Sequence, residues 1–125
     1  MADILIIDDD RQMRRLLTRL LAGAGHTVHE AETGLDGVEL FKRKRPAMVI
    51  TDIVMPDTEG IETIMNLRRD NPTVPIIAIS GGSDPLYLSA AAKLGATGSL
   101  RKPFAPASLL ELVEAMLGRT PEHCD

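Results

Sequence analysis

Acidic side chains stand directly behind two apolar runs of this sequence. Asp52 follows the run at 48–50, and Asp8 and Asp9 follow the run at 4–7. Short β-branched runs of this kind are typical of strands that are buried on both faces of a parallel sheet. Because open α/β sheets bind their ligands at the carboxyl ends of the strands, these carboxylates lie where chemistry is expected.

Two more polar residues stand behind later runs. Ser80 closes the apolar run at 76–79, and Lys102 follows a short strand candidate at 98–101. If the first and third strands are neighbours, their ends lie about 5 Å apart, and the three carboxylates converge on one small volume. A fourth acid, Asp10, has a separate role as the N-cap of the helix that follows.

Such a set of groups can bind a cation and accept a phosphoryl group. Oxygen ligands without His or Cys suit Mg²⁺, which keeps coordination positions open for phosphate. The Asp52 carboxylate can attack phosphorus and form an aspartyl phosphate if the growing charge is neutralised. Mg²⁺ and the Lys102 ammonium are two suitable cations, and the Ser80 hydroxyl can donate a hydrogen bond to a phosphoryl oxygen.

The elements that must position these groups alternate along the chain. The pattern predicts five strands and five helices, and therefore a parallel sheet covered by helices on both faces. Weaker strands are predicted at 27–31 and 98–101, and Gly60 is interpreted as part of a turn after the central strand. The predicted core-facing helix residues include Leu16, Leu35 and Met65. His26 and His29 are interpreted as surface or strand positions.

Length and composition favour one small domain. The chain has 125 residues, which fits a single domain at 1–118 followed by a tail at 119–125. The net charge of −4 and the absence of Trp argue against binding of nucleic acid. The basic run at 42–45 is attributed to the negative end of the second helix.

No apolar stretch is long enough to span a membrane and no charged leader precedes the first strand, so a cytoplasmic protein is expected.

Together these motifs resemble the receiver domain of bacterial two-component response regulators. The similarity rests on Asp8 and Asp9, on Asp52 followed by Met55, Pro56 and Gly60, on Ser80, and on the run at 102–104. It implies a flavodoxin-like doubly wound (βα)5 fold with strand order 2-1-3-4-5. The resemblance also implies roles for the site residues. Asp52 would be the phosphoacceptor, and the Mg²⁺ site would consist of Asp8, Asp9, Asp52 and the backbone carbonyl of Val54. Ser80 and Lys102 would bind the phosphoryl group, and the peptide bond between Lys102 and Pro103 would be cis.

The sequence departs from this family at the position of its usual aromatic switch residue on the last strand. That position is Ser99, so the usual aromatic readout of phosphorylation is missing. Val54 and Gly82, which flank the phosphorylation site, carry no charged or amide side chain that would orient an attacking water. Slow hydrolysis of the phosphoryl group is therefore expected.

The expected function is that of a stand-alone phosphoacceptor, which catalyses its own phosphoryl transfer and dephosphorylation but is otherwise not an enzyme. Its partners would be a sensor histidine kinase or histidine phosphotransfer protein and a downstream protein target. A phosphorylation-independent interaction module is the main alternative. A haloacid-dehalogenase-like phosphatase needs a second acid where Val54 stands, and a flavin carrier needs a phosphate-binding first loop that the acidic run at 8–10 would oppose.

Overall fold

The computed structural model describes residues 2–53, 59–81 and 85–118, without the side chains of residues 59 and 85–88. Its strands are β1 (Asp3–Ile7), β2 (Thr27–Ala31), β3 (Met48–Asp52), β4 (Ile76–Ser80) and β5 (Gly98–Arg101). Its helices are α1 (Arg11–Gly23), α2 (Gly34–Lys44), α3 (Glu59–Asp70), α4 (Pro85–Leu94) and α5 (Pro106–Leu117). The two weaker strands, β2 and β5, have the predicted bounds.

All five strands run parallel in the order β2-β1-β3-β4-β5. This confirms the predicted doubly wound fold and places β1 and β3 side by side. Every residue of β3 and of β4 is buried, as expected for strands that are covered on both faces. The reversal of strand order at β1 and β3 is the point where sheets of this type bind ligands, and it carries the acidic residues.

Alternate residues of the central strands point into two separate cores. In β1, Ile4 and Ile6 pack with the inner face of α1 and α5, whereas Leu5 and Ile7 lie in the core on the other face. The first core includes Leu17 and Leu21 of α1 and three residues of α5, which are Leu109, Val113 and Met116. Burial on both faces therefore holds the carboxyl ends of β1, β3 and β4 in fixed positions.

Three predicted core positions are wrong, because the predicted apolar stripes are wider than the helix faces that the sheet covers. Leu35 is 70% exposed, Met65 44% and Leu16 38%. Leu16 and Met65 each adjoin a fully buried residue, Leu17 and Ile64, but successive helical residues point about 100° apart. Leu35 lies in the first turn of α2 between the buried Gly34 and Gly37, so its side chain points away from the core.

The interpretation of His26 as a surface or strand position is also wrong. Its ring is buried just before β2, where Nδ1 accepts a hydrogen bond from the backbone N–H of Ala2 at 3.1 Å. Nε2 lies 2.9 Å from Oε2 of Glu114 on α5. The contact joins residues 88 positions apart, so sequence spacing could not reveal it. His29 lies on β2, half-buried, in agreement with its interpretation.

Local signals at helix ends mostly agree with the structure. Asp10 is the N-cap of α1, and its carboxylate accepts hydrogen bonds from the N–H groups of Gln12 and Met13. Gly60 belongs to α3 rather than to a turn, and a side chain there would overlap the backbone of Ile53. The helix therefore needs a glycine to approach the end of β3. Among the helices described, none has the length and apolar character needed to cross a bilayer.

Candidate functional site

The ends of two neighbouring strands bring three carboxylates together. Asp52 is the last residue of β3 and Asp8 comes directly after β1, whose Ile7 pairs with Thr51. Ligand oxygens of Asp8, Asp9 and Asp52 lie within 4.8 Å of one another. Asp8 and Asp52 are buried and Asp9 is exposed, so the cluster opens to solvent on the side of Asp9.

The polar groups of Asp8 form hydrogen bonds, except for one carboxylate oxygen. Its backbone N–H donates to the Ala31 carbonyl at 3.1 Å, and its Oδ1 accepts from the N–H of Asp10 at 2.8 Å. Its Oδ2 is buried and has no hydrogen-bond partner. Buried polar atoms are nearly always hydrogen-bonded. The Lys102 ammonium lies 3.6 Å from this oxygen, beyond hydrogen-bond distance, so a cation bound in the acidic cluster would satisfy it.

Lys102 supplies a positive charge from the opposite side of the cluster. Its Nζ donates to Oδ2 of Asp52 at 3.2 Å and lies 3.6 Å from Oδ2 of Asp8. The Lys102 side chain is only 19% exposed, so these contacts are partly shielded from water. The peptide bond to Pro103 is cis, as the family resemblance implied.

The Lys102 backbone is tied to β4. Its N–H donates to the carbonyl of Ser80 at 2.8 Å, and Ser80 is the last residue of that strand and is buried. The structure thus brings the ends of β1, β3, β4 and β5 to one edge of the sheet, with the predicted side chains at each. Val54, the predicted backbone ligand, lies outside the described residues.

The pKa values of the cluster reflect burial and crowding of charge. Burial raises the pKa of Asp8 to about 6, and repulsion from Asp52 adds to this, against the lowering effect of the Asp10 hydrogen bond and Lys102. Burial acts to lower the pKa of the Lys102 ammonium, but attraction to Asp52 and Asp8 outweighs it and leaves that pKa raised. The lysine therefore stays charged, and Asp8 ionises only as the pH rises through about 6.

The donor set fits a hard divalent cation. It consists of carboxylate oxygens without nitrogen or sulfur ligands, and Mg²⁺ binds to few protein oxygens and keeps the rest of its shell for water or phosphate. Asp8, Asp9 and Asp52 are the residues that would hold it. The open side at Asp9 leaves room for a further ligand.

The raised pKa of Asp8 predicts how the metal-free protein responds to pH. Because this pKa is higher in the folded state than the ordinary 3.8, Asp8 contributes stability below about pH 4 that is lost as pH rises through about 6. Asp8→Asn should thus be more stable than the wild type at pH 8, by about 1 to 2 kcal/mol, and should lose this advantage at pH 4. Urea unfolding in EDTA at both pH values tests this, and an equal advantage at both would contradict it.

Sequence reasoning missed Arg14, whose guanidinium contacts the acidic loop. Its Nη1 donates to the backbone carbonyl of Asp8 at 2.6 Å. A signal was present, because Arg14 lies three and seven positions before Leu17 and Leu21 and so shares the buried face of α1. A charged residue on an apolar helix face needs a partner inside the fold.

Ser99 lies on β5 and is exposed. The neighbouring Gly98 is covered by α5, since a side chain there would press against Met116 and Leu112. The strand thus presents a small hydroxyl where the family usually has an aromatic ring.

Comparisons with known protein families, curated proteins and solved structures all point to the same family. A family model described as the response regulator receiver domain matches residues 4–114. Response regulator MprA of Mycobacterium sp. (strain KMS) is 35% identical over 117 residues, which are 94% of this chain and 51% of the relative. Response regulator MprA of Mycobacterium leprae (strain TN) gives the same figures. The chain spans about half the length of these curated relatives.

Solved structures with the same fold include proteins of similar size. A CheY-like response regulator receiver domain protein from Methanospirillum hungatei superposes with a TM-score of 0.91 at 25% identity, over 98% of both chains. A response regulator receiver domain protein from Clostridium thermocellum gives 0.89 at 28%, over 95% of this chain and 96% of that one. Chemotaxis protein CheY4 of Vibrio cholerae gives 0.86 at 29%, over 93% and 98%.

Proposed function

Because this chain belongs to the response regulator receiver family of two-component signalling, we propose that it is a phosphoacceptor whose Asp52 carries the phosphoryl group. The observation that supports this most directly is the environment of Asp52. Its carboxylate is buried at the end of β3, bonded to the Lys102 ammonium at 3.2 Å and grouped with Asp8 and Asp9. A carboxylate that serves only in a turn would need neither burial nor an ammonium partner.

In the proposed reaction an oxygen of Asp52 attacks the phosphorus of a phosphohistidine. The new O–P bond forms while the N–P bond breaks, and the electron pair of that bond remains on the imidazole nitrogen of the donor. Mg²⁺ held by Asp8, Asp9, Asp52 and the Val54 carbonyl would neutralise charge on the phosphoryl oxygens. Lys102 provides the second positive charge, and the Ser80 hydroxyl donates a hydrogen bond to a phosphoryl oxygen. The set contains no general base, and the reaction needs none.

The proposed donor is a sensor histidine kinase or a histidine phosphotransfer protein, and the proposed output is changed affinity for a protein partner. The receiver domain catalyses only its own phosphorylation and dephosphorylation, acts in the cytoplasm and itself binds neither nucleic acid nor membrane. Ser99 gives the output face a different readout from the aromatic rotamer of its relatives. Phosphorylation would then be reported through the backbone and through Ser80.

The direct test is incubation of the protein with Mg²⁺ and acetyl phosphate, followed by intact-mass measurement. The expected result is a gain of one phosphoryl group that depends on Mg²⁺ and disappears in excess EDTA. An unchanged mass, with Mg²⁺ binding demonstrated separately, would favour the phosphorylation-independent interaction module instead.

The phosphorylated protein is expected to lose its phosphoryl group slowly. Val54 and Gly82 offer no polar side chain to orient water, so the lifetime should be minutes or longer. Loss of the phosphoryl group can be followed by intact mass after removal of the donor. Val54→Asn, which adds an amide at one of these positions, should shorten the lifetime severalfold, and a wild-type half-life of seconds would contradict the prediction.

A further inference from the structure

Arg14 is a cation that the proposed phosphoryl transfer does not use, although it contacts the acidic loop. It lies in the first turns of α1, and its side chain is only 12% exposed. Its Nη1 donates to the carbonyl oxygen of Asp8 at 2.6 Å, a short bond of the charge-assisted kind. That carbonyl belongs to the peptide that joins Asp8 to Asp9.

The other side of the Arg14 guanidinium is held by β2 and the residue after it. Nε lies 3.4 Å from Oε1 of Glu30, and Nη2 lies 4.0 Å from Oε2 of Glu32. The second oxygen of Glu30 accepts from the Thr18 hydroxyl at 3.0 Å, which anchors it to α1. The guanidinium is thus fixed between the carboxyl ends of β1 and β2.

We propose that Arg14 is a positioning residue for the cation site, acting through the peptide between Asp8 and Asp9. The Asp8 N–H and Oδ1 are already bound, by Ala31 and by Asp10. Arg14 fixes the remaining backbone group, the carbonyl, and with it the plane of the following peptide. The orientation of that peptide plane sets the direction in which the exposed Asp9 side chain projects from the backbone. This inference rests on the proposed function, because it assigns Arg14 to the same cation site.

The geometry indicates an orienting role more than a simple charge effect. Glu30 and Glu32 offset the charge of Arg14, so its removal changes the field at the cluster less than the loss of an isolated cation would. A guanidinium can donate to the Asp8 carbonyl and to Glu30 at the same time from one rigid plane, whereas a lysine ammonium has no such fixed geometry. Arg14→Lys should therefore restore only part of the function.

The test compares Mg²⁺ dissociation constants, measured by calorimetry, for wild type, Arg14→Ala, Arg14→Lys and Arg15→Ala. Arg15→Ala is the control, because it makes the same change of net charge at the exposed neighbouring position of α1. We expect Mg²⁺ to bind about tenfold more weakly to Arg14→Ala, as for other groups that orient metal ligands, and to Arg15→Ala as to wild type. Arg14→Lys should lie between, and serves in place of Arg14→Ala if that variant does not fold.

A second readout separates positioning from stability. The carbonyl ¹³C resonance of Asp8 in the metal-free protein should move in both Arg14 variants and stay in place in Arg15→Ala. Equal dissociation constants for the Arg14 and Arg15 variants would overturn the inference while leaving the proposed function intact. Absence of Mg²⁺ binding by the wild type would overturn both.

Discussion

Asp52→Asn is expected to abolish the uptake of a phosphoryl group from acetyl phosphate, with no product detectable by intact mass. An amide has almost the same shape as a carboxylate but no negative oxygen to attack phosphorus. Other acids of the cluster should not take over, because Asp8 is buried with its Oδ1 bonded to the N–H of Asp10, and Asp9 is exposed at the rim. The wild type measured in parallel should gain one group.

Asp10→Asn is the matched control for this variant. It makes the same change of charge as Asp52→Asn, in the acidic run at 8–10, but Asn is as good an N-cap as Asp, so α1 should be unaffected. Its phosphorylation should match that of the wild type. Uptake by Asp52→Asn at the wild-type rate would show that a different residue is the acceptor and would refute the assignment.

Lys102→Met is expected to change phosphoryl transfer and Mg²⁺ binding in opposite directions. Transfer should fall severely, since the ammonium that faces Asp52 at 3.2 Å is lost. Mg²⁺ should bind at least about tenfold more tightly, because removal of a unit charge 3.2 Å from Asp52 and 3.6 Å from Asp8 deepens the negative potential of the carboxylates. A general disturbance of the site would weaken both.

The same variant should be destabilised when metal is absent. Two buried carboxylates lose their compensating charge, which costs about 2 to 3 kcal/mol, and Mg²⁺ should restore most of this. Thermal unfolding with and without Mg²⁺ measures the effect, and Lys93→Met, at an exposed position of α4, is the control with the same charge change. A smaller Mg²⁺-induced stabilisation in Lys102→Met than in the wild type would contradict the electrostatic account.

The fold could be predicted because the strong signals agree with one another. Apolar runs gave β1, β3 and β4, and the bounds of β2 and β5 were also right because turn residues flank them. Convergence of Asp8, Asp9 and Asp52 followed from a single topological fact, the pairing of β1 with β3. The roles of these residues in chemistry stay predictions until the phosphorylation experiments are done.

Sequence patterns could not predict how far each helix is covered by its neighbours in the fold. Periodicity shows which helix residues share a face, but the exposure of Leu16 and Met65 depends on how far the covering layer reaches. The burial of His26 depends on Glu114, which only the folded chain brings near. The position of Arg14 on the buried face of α1 could be read from the sequence, but its partner could not, because that partner is a backbone carbonyl.

The bond from the Lys102 N–H to the Ser80 carbonyl has a mechanical consequence. It links the last residue of one strand to the first residue beyond its neighbour, so the hydroxyl and the ammonium are mounted on a single stiff unit. If Ser80 shifts its main chain toward a newly attached phosphate, Lys102 must travel with it or the bond must break. If Asp52 is phosphorylated, movements of the Ser80 and Lys102 main chains toward the phosphoryl group would therefore be coupled.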